Sequence, residues 1–154
     1  MQGWKGNMLA LIAGALMPLA FAPFFIYPLA IVSLAGLFLS WQQVSPKQAA
    51  WRGWLFGLGL FGFGVSWVFV AIHVFGQSGL LLAAFLTFLF VATLSLYLAG
   101  LGWLVKKLSP GMLSARGWLL LLPTGWLGFE LFKGWFLSGF PWLELGVSQI
   151  EGPL

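Results

Sequence analysis

The sequence predicts an all-α fold: a polytopic transmembrane helix bundle of about five spans with a cytoplasmic N-terminus. Three observations predict it. Of 154 residues, 61% are apolar and only 6% charged, against roughly 25% charged in ordinary soluble domains, and the mean hydropathy is +1.01. Apolar stretches approaching the roughly 20 residues needed to cross hydrocarbon recur between turn signals. Six of the seven basic residues cluster at alternate connections, Lys133 within the last span being the exception. Soluble globular, disordered and disulfide-framework classes are thereby excluded. The absence of cysteine excludes a thiolate nucleophile or thiolate metal site, and one histidine excludes a His-rich cluster. No cofactor or metal is expected. The net charge of +4 comes from only seven basic residues, so it describes loops at a membrane surface and gives no nucleic-acid patch.

The first span runs from Gly6 to Ala22 and the second from Pro28 to Gln42. Both are short, which leaves a tilted or partly re-entrant hairpin open. Pro23 and Pro28 bracket the turn between them, because proline lacks the N–H that would continue a helix. Lys5, the following apolar run and Ala20-Phe21-Ala22 imitate a signal peptide, but Pro23 suits cleavage poorly and a second apolar segment follows at once. An uncleaved anchor is expected. Ser45-Pro46-Lys47 reads as a loop and helix start, opening a third span from Gln48 to Ala71. Gly76-Gln77-Ser78-Gly79 is a turn cluster before a fourth span from Gly79 to Val105. The polar stretch from Lys106 to Ser114, centred on Pro110-Gly111, leads to a fifth from Ala115 to Leu137. Pro18 and Pro123 lie inside spans and are expected to kink them.

Lys5, Lys47 with Arg52, and Lys106, Lys107 with Arg116 occupy one set of connections; the loops at 23–28 and 72–79 have no Lys or Arg. The positive-inside rule places the N-terminus in the cytoplasm and the tail, with Glu144 and Glu151, outside. Trp4, Trp41, Trp51, Trp54, Trp103 and Trp118 fall at predicted cytoplasmic ends, and Trp67 and Trp135 at outer ends, as an aromatic belt does. Trp126, mid-span, is the exception. In the third span Gly53, Gly57 and Gly64 share one helical stripe while Gly59 and Gly62 lie nearly opposite. Small residues let backbones approach closely, so this helix is expected at the centre of the bundle. A homodimerising stripe is the alternative.

Few residues carry chemistry. Glu130 and Lys133, three apart, share a face of the fifth span and can pair, either as a structural ion pair near the outer interface or as a polar anchor at a substrate site. His73, just past the third span at the outer surface, reads as a structural or interfacial group, with a proton carrier as the alternative. The segment from Gly134 to Gly146 combines aromatics, turn glycines and Pro141 where a helix exits the bilayer. It suits binding of an acyl chain or lipid headgroup and equally an interfacial plug. Phe140, Trp142, Trp67 and His73 are the candidate lipid contacts. Ser138 and Ser148 have no base spaced around them, so no catalytic residue is assigned.

Gly57 to Gly76, Glu130 to Gln149 around the core Gly139-Phe140-Pro141-Trp142, and Ala20-Phe21-Ala22-Pro23-Phe24 resemble signature regions of apolipoprotein N-acyltransferases. The resemblance covers essentially the whole chain. It implies an integral protein of the bacterial inner membrane that moves an acyl chain from a phospholipid donor to the α-amino group of a lipoprotein's N-terminal diacylglyceryl-cysteine. The family works through a thioester on a periplasmic nitrilase-like domain with a Glu-Lys-Cys triad, in which the thiolate accepts the acyl group and lysine steadies the oxyanion. None of that triad carries over, because this sequence has no cysteine and stops at Leu154. Lys133 stands where the family usually shows Arg, and Val147 where Tyr is common. The expectation is a fragment or truncated product that is inactive alone. The rival reading is a small non-enzymatic helical membrane subunit or carrier component.

Overall fold

A computed structural model describes residues 3–110, 114–115, 117–136 and 139–150. Expectations resting on Gly111, Arg116, Leu137, Ser138 and Glu151 lie outside the described residues. The described residues are predominantly helical, with no strand among them. Its helices are α1 (Trp4–Leu16), α2 (Pro28–Ser40), α3 (Pro46–Gly64), α4 (Trp67–Val70), α5 (Leu80–Leu108) and α6 (Leu122–Trp135).

Local chemistry sets the starts. Pro28 opens α2 within its first two positions, where a missing N–H costs nothing. At α3 the Ser45 hydroxyl accepts from the Gln48 N–H at 3.2 Å, and the Gln48 side chain returns the bond to the Ser45 N–H at 3.3 Å. This capping box, with Pro46 behind it, satisfies donors that the first turn leaves orphaned. Lys106 and Lys107 occupy the last turn of α5, where cations favour the negative end of the helix dipole. Pro18 lies in a tight 3₁₀ turn, Met17–Ala20, that finishes α1. Pro123 begins α6 directly after a π-helical turn, Gly117–Leu121. Both prolines therefore mark changes of helix type, not bends within one continuous helix.

α3 is the centre, with α1 on one side and α5 on the other. The glycines show why. A Cβ on Gly53 would collide with the Leu98 carbonyl of α5, and one on Gly57 would lie 2.7 Å from the Ser95 Cα. On the opposite stripe, a Cβ on Gly59 would lie 2.6 Å from the Ala15 N of α1. Gly14 of α1 and Gly102 of α5 answer in kind, against the carbonyls of Phe56 and Ala49. Both stripes are used within the chain, so the homodimer alternative is not needed to explain them. Gly62 faces open space and Gly64 faces Leu143 of the C-terminal loop.

Three expectations are corrected. The third span does not run unbroken to Ala71: α3 ends at Gly64, and the chain turns by 56° before continuing through α4 and a π-helical turn to Phe75. Gly62 and Gly64, weak helix formers, lie just before the break. Arg52 and Lys106 are not loop charges, since each is 1% exposed. Arg52 lies inside the bundle because three segments converge on it. Its Nε donates to the Asn7 side chain at 3.2 Å, one terminal nitrogen to the Ser40 carbonyl and the other to the Gly3 carbonyl at 3.3 Å. Trp41 is no belt residue; it is fully buried against Phe38 and the Gly102 turn.

By length and composition only α5, 29 residues, is a candidate span on its own among the described residues; the bent pair from Pro46 to Phe75 adds a second if it is one span. α1 and α2, 13 residues each, are about 20 Å long.

Candidate functional site: an aromatic loop latched beside a cavity

The C-terminal loop returns from α6 toward the α3–α4 bend. Gly139 takes a left-handed conformation (φ 76°) that reverses the chain, and a Cβ there would collide with the Gly134 carbonyl. The Phe140 N–H then donates to the Lys133 carbonyl at 2.9 Å.

Two charged side chains of α6 hold the rest of the loop. The Glu130 carboxylate accepts from the Leu145 N–H at 2.6 Å and from the Trp126 indole N–H at 2.9 Å. Lys133, 1% exposed, donates from Nζ to the Trp142 carbonyl and lies 5.9 Å from the Phe61 ring centroid. The carboxylates of Glu130 and Glu144 also attract it. Glu130 and Lys133 thus share a face, as their spacing implies, but each hydrogen-bonds to loop backbone, and Glu130 also to the Trp126 indole. Charge-assisted bonds of this type are the stronger kind. They also explain the mid-span tryptophan: the Trp126 indole packs edge-on against Phe56 and Phe129 while Glu130 takes its N–H.

Latched in this way, the loop brings three of the four candidate lipid contacts together. Trp142 lies 5.5 Å from Trp67 and 6.4 Å from Phe140, and Phe140 meets Phe90 of α5 edge-on at 5.2 Å. His73 is not part of this cluster. It closes its own turn, with Nδ1 2.7 Å from the Ser78 carbonyl and the ring 5.4 Å from Phe69. A cavity of about 680 Å³ lies beneath the loop, lined by Phe21, Phe24, Phe63, Trp67, Trp142 and Ile150 among others. The turn at 21–25, the α3–α4 bend and the loop therefore meet at one end of the bundle. Gly3, Trp4, Asn7, Lys47 and Arg52 gather around a separate cavity. Among the described residues no group of His, Asp and Glu could hold a metal ion.

Sequence reasoning missed the latch itself. The available signal was a buried-type helix carrying Glu130 and Lys133 just before a loop rich in backbone donors. Lys133→Met removes the donor to the Trp142 carbonyl. A hydrogen bond to a charged group contributes about 1.5–3 kcal/mol, so amide exchange across 140–147 is expected to quicken by tenfold or more while α5 stays protected. Unchanged exchange in the loop would count against the latch.

The molecule is thus a strongly apolar helical bundle that presents an aromatic loop over a cavity at one end. Residues 13–154 match the family model described as the apolipoprotein N-acyltransferase N-terminal domain, and the chain belongs to that family. It is similar to the apolipoprotein N-acyltransferase of Azotobacter vinelandii, 47% identical over 152 residues, covering 99% of this chain and 30% of that protein. It is likewise similar to that of Pseudomonas aeruginosa (strain UCBPP-PA14), 47% identical over 152 residues and 30% of its length, and that of Methylococcus capsulatus, 50% identical over 147 residues and 29% of its length. The chain spans about 30% of the length of these curated relatives.

Proposed function

We propose that this chain is the membrane-embedded part of an apolipoprotein N-acyltransferase in a bacterial inner membrane. The whole protein takes an acyl chain from a phospholipid and places it on the N-terminal diacylglyceryl-cysteine of a lipoprotein. The chain forms a single N-terminal membrane region whose segments cross the bilayer about five times, with the N-terminus cytoplasmic and the latched loop outside. The match along nearly the full chain to enzymes of that name carries the reading. The lipid setting has independent support in the large apolar side chains left on the surface of α5, where Leu81, Phe85 and Phe88 are all more than half exposed. Having no cysteine, this chain by itself performs no thioester chemistry.

Phe140, Trp142 and Trp67 contact acyl chains of donor or acceptor at the outer end, with the loop backbone held by Glu130 and Lys133; His73 supports the turn behind Trp67. The test is a chimera in which this segment replaces the matching part of the Azotobacter vinelandii relative. Relative to the unmutated chimera, Phe140→Ala and Trp142→Ala are each expected to lower acyl transfer to a diacylglyceryl lipopeptide by about tenfold or more, since burial of such a ring is worth about 1.5–3 kcal/mol. Helix content should be unchanged. Full activity in both variants would remove the lipid-contact role.

A further inference from the structure

At a different place from the aromatic loop, residues of α5 and α6 line an apolar groove of about 770 Å³. Its walls include Leu96, Leu104 and Phe132, and Gly100 and Gly128 form open floor: nothing lies within 4 Å of where a Cβ would stand on either. The Thr93 hydroxyl at one end bonds back to the Leu89 carbonyl at 2.8 Å, so it is already engaged. From Thr93 to Leu108 the groove follows α5 for about 22 Å at ~1.5 Å per residue, enough for a chain reaching through one leaflet of about 15 Å.

A charge follows beyond the other end, next to Leu108 of the lining. Thr93, Gly100 and Lys107 are seven residues apart and drift only about 20° per step around the helix, so Lys107 continues the groove's own stripe. Lys107 Nζ lies 4.4 Å from the Trp103 ring centroid, and Trp103 is 43% exposed. An ammonium above an indole, at the end of an apolar channel, matches a ligand with an anionic head and a hydrocarbon tail. We propose that the α5–α6 groove holds one acyl chain of an anionic phospholipid whose phosphate pairs with Lys107, on the leaflet opposite the aromatic loop. A wholly apolar protein helix would fill the apolar part but would give the cation no anionic partner. The site rests on the reading that α5 crosses the bilayer.

The test reconstitutes the full 154-residue chain in vesicles of equimolar phosphatidylglycerol and phosphatidylcholine with identical acyl chains, then counts retained lipids by native mass spectrometry. Phosphatidylglycerol is expected to be retained about fivefold over phosphatidylcholine, the discrimination of one lysine near an anionic surface. Lys107→Gln should erase the preference while lipid is still retained. Gly128→Leu, which fills open floor and favours helix, should displace both lipids without loss of helix content. Retained preference in Lys107→Gln, undiminished lipid in Gly128→Leu, or a lipid-free dimer that Gly128→Leu separates would each overturn the site. Because the chain has no cysteine, Leu89→Cys reports the membrane reading separately. Protection from a water-soluble maleimide keeps that reading even where the lipid site fails, whereas labelling removes both.

Discussion

Gly14→Ala is expected to unfold the bundle, whereas Gly62→Ala, the same single methyl group, stabilises it. The two glycines differ only in what a Cβ would meet. At Gly14 it would enter the backbone of Phe56 in α3, at the carbonyl, where no side chain can swing aside. At Gly62 it would meet nothing within 4 Å. Relief at Gly14 requires α1 and α3 to separate, and that also opens the reciprocal approach of Gly59 to Leu11 and Ala15. Overpacking a well-fitted core costs about 1–3 kcal/mol when side chains can adjust, so rigid backbone contact puts Gly14→Ala at or beyond about 3 kcal/mol. Gly62→Ala gains about 0.5–1 kcal/mol from helix propensity and reduced chain entropy. Unfolding in mixed detergent, followed by helix signal, should order the variants as Gly62→Ala, parent, Gly14→Ala. Equal stabilities would mean that α1 and α3 do not meet through these glycines.

The sequence made this contact partly legible. Periodicity separated the α3 glycines into two stripes and implied two partners, and both partners are there. It marked Ser45-Pro46-Lys47 as a helix start, but not the return bond from Gln48 that completes the capping box. What it did not reveal shares one physical cause. Mean hydropathy describes a stretch of chain, not a face of a helix, and a basic residue near a span's end looks the same whether it points to water or inward. From sequence, Arg52 therefore reads as a loop charge and Trp41 as a belt residue, although their burial depends on groups far away in sequence. The bend after Gly64 was invisible for a related reason. No proline marks it, and Leu143, which packs against Gly64, lies far along the chain. At the loop, Glu130 and Lys133 were legible as neighbours on one face. Their partners in the loop, the Leu145 N–H and the Trp142 carbonyl, are backbone groups, and backbone partners leave no mark in side-chain spacing.

Arg52 is expected to give the largest loss of any polar side chain, and lysine should not rescue it. Its planar fork serves three acceptors at once: the Asn7 side chain, the Ser40 carbonyl at the end of α2 and the Gly3 carbonyl before α1. Lysine carries the same charge but offers one compact nitrogen on a flexible stem, which cannot span acceptors on separate segments. Arg52→Met leaves the acceptors without this donor, and bonds to charged groups are worth about 1.5–3 kcal/mol each; a total of about 3 kcal/mol or more is expected. Arg52→Lys should recover less than half of it. Packing loss alone could mimic this result, and Gly6 distinguishes the two. The three atoms that a Cβ on Gly6 would meet first are the guanidinium carbon and its two terminal nitrogens. Gly6→Ala is therefore expected to destabilise the parent by about 1–3 kcal/mol and to be nearly neutral in the Arg52→Met background. A coupling of that size marks direct contact. Strict additivity of the two substitutions would place the guanidinium elsewhere, and the joining of α1, α2 and α3 at this end would then need another cause.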